Sequence, residues 1–147
     1  MKLKRLYLLL LLPTLLSAQE RLTVYFDFNK YDLNDKALIK LNTWIAKSDN
    51  LEVTKIYGFC DWKGTNVYND SLSIKRVNTV FDFLQQQQIK VNEGYEIRGF
   101  GEDFEQSEVQ SENRKVIIAY EIKKAEVFVL RMLLFSDPRC KRYDLFS

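Results

Sequence analysis

From Arg21 onward the chain alternates. Leu22, Val24, Phe26 and Phe28 are interleaved with Arg21, Thr23, Tyr25, Asp27 and Asn29, and a period of two predicts a strand with one buried face over 21–29. The period then lengthens: Leu38, Leu41, Trp44 and Ile45 recur at three and four residues, with Asn34 placed to cap a helix and Ser48-Asp49-Asn50 to end it. Residues 51–59 predict a second strand carrying Val53, Tyr57 and Phe59 on one side, and 60–65 a loop around Gly64. Over 67–87 the stripe Leu72, Val77, Val80, Phe81 and Leu84 predicts a long helix, with Gln85 to Gln88 as its polar fringe. Residues 95–99 predict a short third strand and 116–122 a fourth; between them the acidic, polar stretch 101–113 predicts a surface loop with one helical turn.

Strands and helices in the order β-α-β-α-β-β predict an α/β (α+β) two-layer sandwich: one four-stranded mixed sheet with two main helices on one face. The 147 residues suffice for one such domain, placed at 21–123, with one modest core. Residues 124–147 form a C-terminal extension, in which the apolar run 127–135 is interrupted by Arg131 and followed by Asp137-Pro138 and the basic Arg139, Lys141 and Arg142. Nine residues are too few to span a bilayer. An edge strand or packed helix is one reading of that run, and a docking segment for another envelope protein is the other.

The N-terminus changes the charge. Lys2, Lys4 and Arg5 precede the apolar run 6–12, broken at Pro13, and Leu16-Ser17-Ala18 fits a cleavage site, so residues 1–18 read as a signal peptide directing export to the periplasm. The run is shorter than the roughly 20 residues of a spanning anchor, and no cysteine follows the site to take a lipid. Cleavage removes three of the 22 basic residues and none of the 20 acidic ones, turning a net charge of +2 into −1. The mature chain then has no bulk electrostatic case for nucleic acid.

There is no histidine, which removes the usual zinc sites, the Ser-His and Cys-His nucleophile pairs and the commonest base near neutral pH. No metal or cofactor is expected. Export permits a disulfide between Cys60 and Cys140, the two cysteines, without requiring one.

The chemistry concentrates in Gly58-Phe59-Cys60-Asp61-Trp62-Lys63-Gly64, Tyr68-Asn69, Leu72-Ser73 and Arg76. Asp61 ends a strand, where its carboxylate can project into a crevice. Asn69 and Arg76 lie seven residues apart, about two helical turns, on a face bordering the apolar stripe, which puts Arg76 at the rim between core and crevice. Asp61 and Arg76 can equally form a plain surface ion pair.

These residues resemble the OmpA-like peptidoglycan-binding domain, whose pattern runs Gly-x-Thr-Asp-x-x-Gly, four residues, Asn-x-x-Leu-Ser-x-x-Arg-Ala. Gly58, Asp61, Gly64, Asn69, Leu72, Ser73 and Arg76 fall in register with it, as do Phe26-Asp27-Phe28, Arg98-Gly99-Phe100-Gly101-Glu102 and Asn113-Arg114-Lys115-Val116. The resemblance spans about residues 24 to 122. It implies a non-enzymatic module that binds peptidoglycan in the periplasm, associated with the outer membrane, through the free end of the diaminopimelate in the stem peptide. Asp61 would take the ammonium and Arg76 the carboxylate, with Asn69 a neutral contact and Asp27 and Arg114 on the crevice walls. Three positions depart from the pattern: Cys60 for Thr, Val77 for Ala and Lys115 for Arg.

Two other readings compete. One is an envelope scaffold that binds proteins and holds the wall weakly or not at all. The other is a wall-cleaving enzyme using Glu102, Asp103 and Glu105, a set lying in a polar loop where the burial that keeps a catalytic acid protonated is not expected.

Overall fold

The computed structural model describes residues 19–123. Its elements are β1 (Glu20–Tyr25), α1 (Asp35–Lys47), β2 (Leu51–Phe59), α2 (Asn66–Gln86), β3 (Lys90–Gly99), α3 (Gln110–Asn113) and β4 (Lys115–Ile122). The strands make one sheet in the order β1-β4-β2-β3. β4 runs antiparallel to both its neighbours, and β2 and β3 are parallel, joined by the α2 crossover. This is the expected mixed four-stranded α/β architecture. The signal-peptide reading and the extension beyond Lys123, with Cys140, lie outside the described residues.

Both long helices pack on one face. Ala37, Leu41 and Trp44 of α1 and Val77, Val80 and Leu84 of α2 share a buried core with Val24, Val53, Ile56, Val116, Ile118 and Tyr120 of the sheet. The Trp44 and Tyr120 rings meet edge to face, their centroids 4.9 Å apart, a geometry worth about 0.5–1.5 kcal/mol beyond the area buried. Asn34 caps α1 by accepting from Ala37 N at 2.9 Å, and Asp35 and Lys47 match the charged ends of the helix dipole. Thr65 caps α2 through Tyr68 N at 3.3 Å.

The C-terminus of α2 gives the glutamine run a job. Gln88 adopts φ 56° while its N–H reaches Gln85 O at 2.9 Å and Ile89 N reaches Leu84 O at 3.0 Å, the pair of bonds that closes a helix in a Schellman motif. Glycine would adopt this left-handed position without the Cβ penalty.

Three elements differ from the sequence expectations. β1 ends at Tyr25, and although Phe26 is buried, Phe28 is 56% exposed; the alternation runs on into a loop that leaves the sheet. β3 begins at Lys90, five residues early, because Lys90 and Val91 pair with Glu52 and Val53 at the sheet edge before residues 92–95 leave the register, which resumes at Glu96. A bulge between Val53 and Lys55 breaks the side-to-side alternation of β2. Val53 therefore shares the helix-facing core with Ile56, whereas Tyr57 and Phe59 point to the other face and pack on Phe100. At Gly58 a Cβ would lie 2.6 Å from Val77 Cγ2, so the bare backbone lets α2 sit tight against β2 and fixes the helix residues that face the end of that strand.

Candidate functional site

At the C-terminal end of β2 three loops converge: 26–34 after β1, 60–65 before α2, and 100–109 after β3. Beneath them lies Arg76, in the middle of α2 and only 1% exposed. Its guanidinium donates from Nε to Lys30 O at 2.9 Å, from Nη1 to Phe59 O at 2.9 Å and Cys60 Sγ at 3.2 Å, and from Nη2 to Asp27 O at 3.3 Å. The Phe26 ring lies 5.3 Å from its Cζ. Four of the five N–H donors of an arginine are thus taken within the described residues, leaving one on Nη2. The expected rim position is corrected: the 26–34 loop folds over Arg76, and its carbonyls satisfy a charge that the packed side alone could not. Burial lowers the arginine's pKa, and the neighbouring Cys60 and Asp61 pull it back up.

Asp61 stands immediately above. It is 4% exposed, and its Oδ2 accepts from Arg114 Nη1 at 3.0 Å. Arg114 leads into β4 and also donates from Nε to Phe26 O at 3.2 Å, while Phe26 N donates to Arg114 O at 2.8 Å. The ion pair of Asp61 is therefore with Arg114, a residue whose role the sequence could assign only through its family motif, and the alternative of a plain surface pair with Arg76 fails on burial.

Asn69 is buried beside them and donates from Nδ2 to Asp61 O at 3.1 Å and to a Glu102 carboxylate oxygen at 2.5 Å. Its own carbonyl accepts from Cys60 Sγ at 3.3 Å. The thiol sits between Asn69 and Arg76, and burial pushes its pKa up to about 11; at neutral pH it stays protonated, a donor and not a nucleophile. Gly101, at φ 54°, accepts from Cys60 N at 2.7 Å and donates to Ser73 Oγ at 3.1 Å, tying the loop after β3 to the site.

Asp27 is exposed on the 26–34 loop and shares with Arg114, Tyr25, Asn34, Lys36 and Lys40 an open groove of about 410 Å³. A second groove of about 350 Å³ lies on the other side of the same loop. The five residues singled out in the sequence, Asp61, Arg76, Asn69, Asp27 and Arg114, thus come together at one end of the sheet as a buried cation, an ion pair above it, an amide that holds the pair's backbone, and a carboxylate on the rim. Glu102 and Asn113 were not counted among them. Glu102 reaches Asn69, and Asn113, fully buried, clasps Ser107 through two bonds of 2.8 Å; Glu102 was legible as the end of its glycine motif. Asp103 and Glu105 remain exposed, so the trio suggested for cleavage is not gathered in an apolar pocket.

Comparison with known proteins agrees with this architecture. No protein of curated function matches the sequence. The peptidoglycan-associated lipoprotein from Burkholderia pseudomallei is 24% identical with a TM-score of 0.53, covering 67% of this chain and 88% of its own. The OmpA-like domain of FopA1 from Francisella tularensis is 23% identical with a TM-score of 0.54, covering 74% and 82%. The periplasmic domain of Helicobacter pylori MotB (residues 78–256) is 15% identical with a TM-score of 0.51, covering 79% and 84%. At these identities the likeness is one of fold. The family model of the OmpA family matches residues 25–117, which takes in every site residue named above, and the chain belongs to the OmpA family.

Proposed function

We propose that the protein binds peptidoglycan non-covalently in the periplasm, through the zwitterionic end of the diaminopimelate in the stem peptide, and so tethers or steadies the cell envelope. The observation that carries this reading is the Asp61–Arg114 pair seated over a buried arginine, with Arg114 lining a groove beside it. A free amino-acid head carries an ammonium and a carboxylate on one carbon. It can insert into such a pair by giving Asp61 a new cation and Arg114 a new anion. Arg76 keeps one Nη2 N–H beyond the one given to Asp27 O; on this reading it adds a third charge-assisted bond to the carboxylate, and Asp27 flanks the ammonium from the rim. Asn69 positions Asp61 from below.

Two intermolecular charge-assisted bonds contribute roughly 1.5–3 kcal/mol each before desolvation and ordering costs. They replace one intramolecular pair, so affinity for a single stem peptide falls on the order of micromolar to millimolar. The wall displays its stem peptides densely, and retention on it exceeds the single-site affinity.

Co-sedimentation with purified sacculi tests the reading. Wild type pellets with the wall, and Asp61→Ala and Arg114→Ala stay largely in the supernatant. Wild type remaining in the supernatant would favour the envelope-scaffold reading instead.

A further inference from the structure

Four of the exposed aromatic side chains among the described residues, Phe28, Tyr31, Trp62 and Tyr68, lie on the two loops and helix start that frame Asp61 and Asn69. A folded chain exposes large rings singly as a matter of course, but a cluster beside a binding site calls for a ligand. Tyr31 and Tyr68 line the groove of about 350 Å³ together with Asn29, Thr65 and Ser71. The Tyr68 hydroxyl contacts the Asn29 side chain across it. Lys63 and Lys75 place their ammonium groups 5.6 Å and 5.7 Å from the ring centres of Phe28 and Tyr31, contacts that hold the rings and lower the entropic cost of presenting them.

The lining of this groove separates it from its neighbour. Asp27, Lys36, Lys40, Glu112 and Arg114 make the other groove strongly ionic, whereas here Lys75 is the sole ionisable group apart from the two phenols. Flat rings interleaved with neutral amides and hydroxyls match a ligand that is apolar on its faces and hydrogen-bonding at its edges. A pyranose ring bearing hydroxyl and N-acetyl groups has that character. Val67 and Leu72 also line it, but a lipid tail would gain nothing from the Asn29 amide N–H, the Ser71 hydroxyl or the Lys75 ammonium, and a nucleic acid would want more than one cation.

We infer that this aromatic groove is a glycan subsite, which takes the N-acetylated sugar strand of the same polymer whose stem peptide is held at Asp61. The inference rests on the peptidoglycan reading for its occupant. The groove neighbours the zwitterion site along the chain: Tyr68, which lines it, precedes Asn69, and Trp62, exposed outside its lining, follows Asp61. A strand lying along the rings would keep the next stem peptide within reach, so that the two contacts reinforce each other.

The sequence has two tryptophans. Trp44 is buried in the core and Trp62 is 58% exposed, so a ligand-induced change in tryptophan emission reports on the rim. The experiment titrates the purified protein with soluble glycan strands freed of their peptides by an amidase, and in parallel measures retention on intact sacculi. Wild type should show a saturable emission shift with the peptide-free strands. Tyr31→Ala combined with Trp62→Ala should lower retention on sacculi roughly three- to tenfold, while Tyr31→Trp, which keeps a stacking ring, should retain as wild type. Peptide-free strands that leave the emission unchanged, with sacculus retention intact in the double variant, would overturn the glycan subsite and leave the stem-peptide reading standing. A saturable shift with Asp61→Ala retained on sacculi as well as wild type would do the reverse.

Discussion

The two ends of β2 each bury a carboxylate and surround it with cations, yet they are built for different ends. At the start of the strand, Glu52 is buried and is met by Lys123, by Lys90 at 3.8 Å and by Asn92 Nδ2 at 2.8 Å. Both lysines are mostly exposed; they reach in from water on flexible stems and neutralise the charge. At the other end Asp61 is met by a guanidinium that is itself tied to Phe26, above a second guanidinium held by backbone carbonyls from two separate segments. Flexible lysines closing over a carboxylate make a clamp that secures the exit of β4. Planar arginines fixed from behind are what the proposed reading needs in a template, because their forks keep one orientation when a ligand replaces a partner. What separates the two ends is that the partners of Asp61 are held by backbone groups as well as by the charge, and those of Glu52 by the charge and their own flexible stems.

The largest expected effect separates the two by stability. Arg76→Ala removes the guanidinium and strands three carbonyls, and at about 1–3 kcal/mol for each buried group left unmet it should cost at least about 3 kcal/mol in urea denaturation, while Arg76→Lys should recover only part of this because an ammonium cannot span the same fork. Next in size is binding. Asp61→Asn keeps the shape and removes the charge, and retention on sacculi should fall at least about tenfold, whereas Glu52→Gln should leave retention unchanged. If both carboxylates affected retention equally, the contrast between clamp and template would fail.

Glu52 should instead govern acid stability. Hydrogen bonds from Lys123 and then Asn92 hold its carboxyl below its ordinary value. Its contribution is then present above the unfolded carboxylate value and lost as pH falls through the depressed folded value. Lys123 is raised by the same bond to Glu52, so its share is complete below the ordinary amine value and lost as pH rises through the raised one. Thermal melting across the acid range should show a decline in wild type that flattens in Glu52→Gln. The smallest effect lies beside the Glu52 end, where Gln88 lines a groove with Glu52: Gln88→Gly should stabilise by about 1 kcal/mol by relieving the left-handed backbone, with no change in binding.

What could be read from the sequence follows the range of the interactions. The helices, their stripes and the cap at Asn34 are local, and spacing exposes them. The β2 bulge was hidden because one unpaired residue reverses the alternation without changing the composition. The first half of β3 was hidden because Asn92, Glu93 and Gly94 belong to an edge strand and carry no buried face. In the candidate site, the family spacing singled out five residues that the fold gathers at one end of the sheet, but not their arrangement. A helical wheel gives the direction of Arg76 and says nothing of the loop that covers it, whose carbonyls at Asp27 and Lys30 come from 49 and 46 residues earlier. The partner of Asp61 stands 53 residues further on.

Competition on sacculi tests the central claim most directly. Wild-type protein bound to sacculi is challenged with a soluble stem peptide that ends in diaminopimelate, and with the same peptide ending in lysine, which lacks the second zwitterionic head. The diaminopimelate peptide should release the protein in a saturable way and the lysine peptide should not. Equal release by both, or by neither, would contradict recognition of an amino-acid head by Asp61 and its arginines.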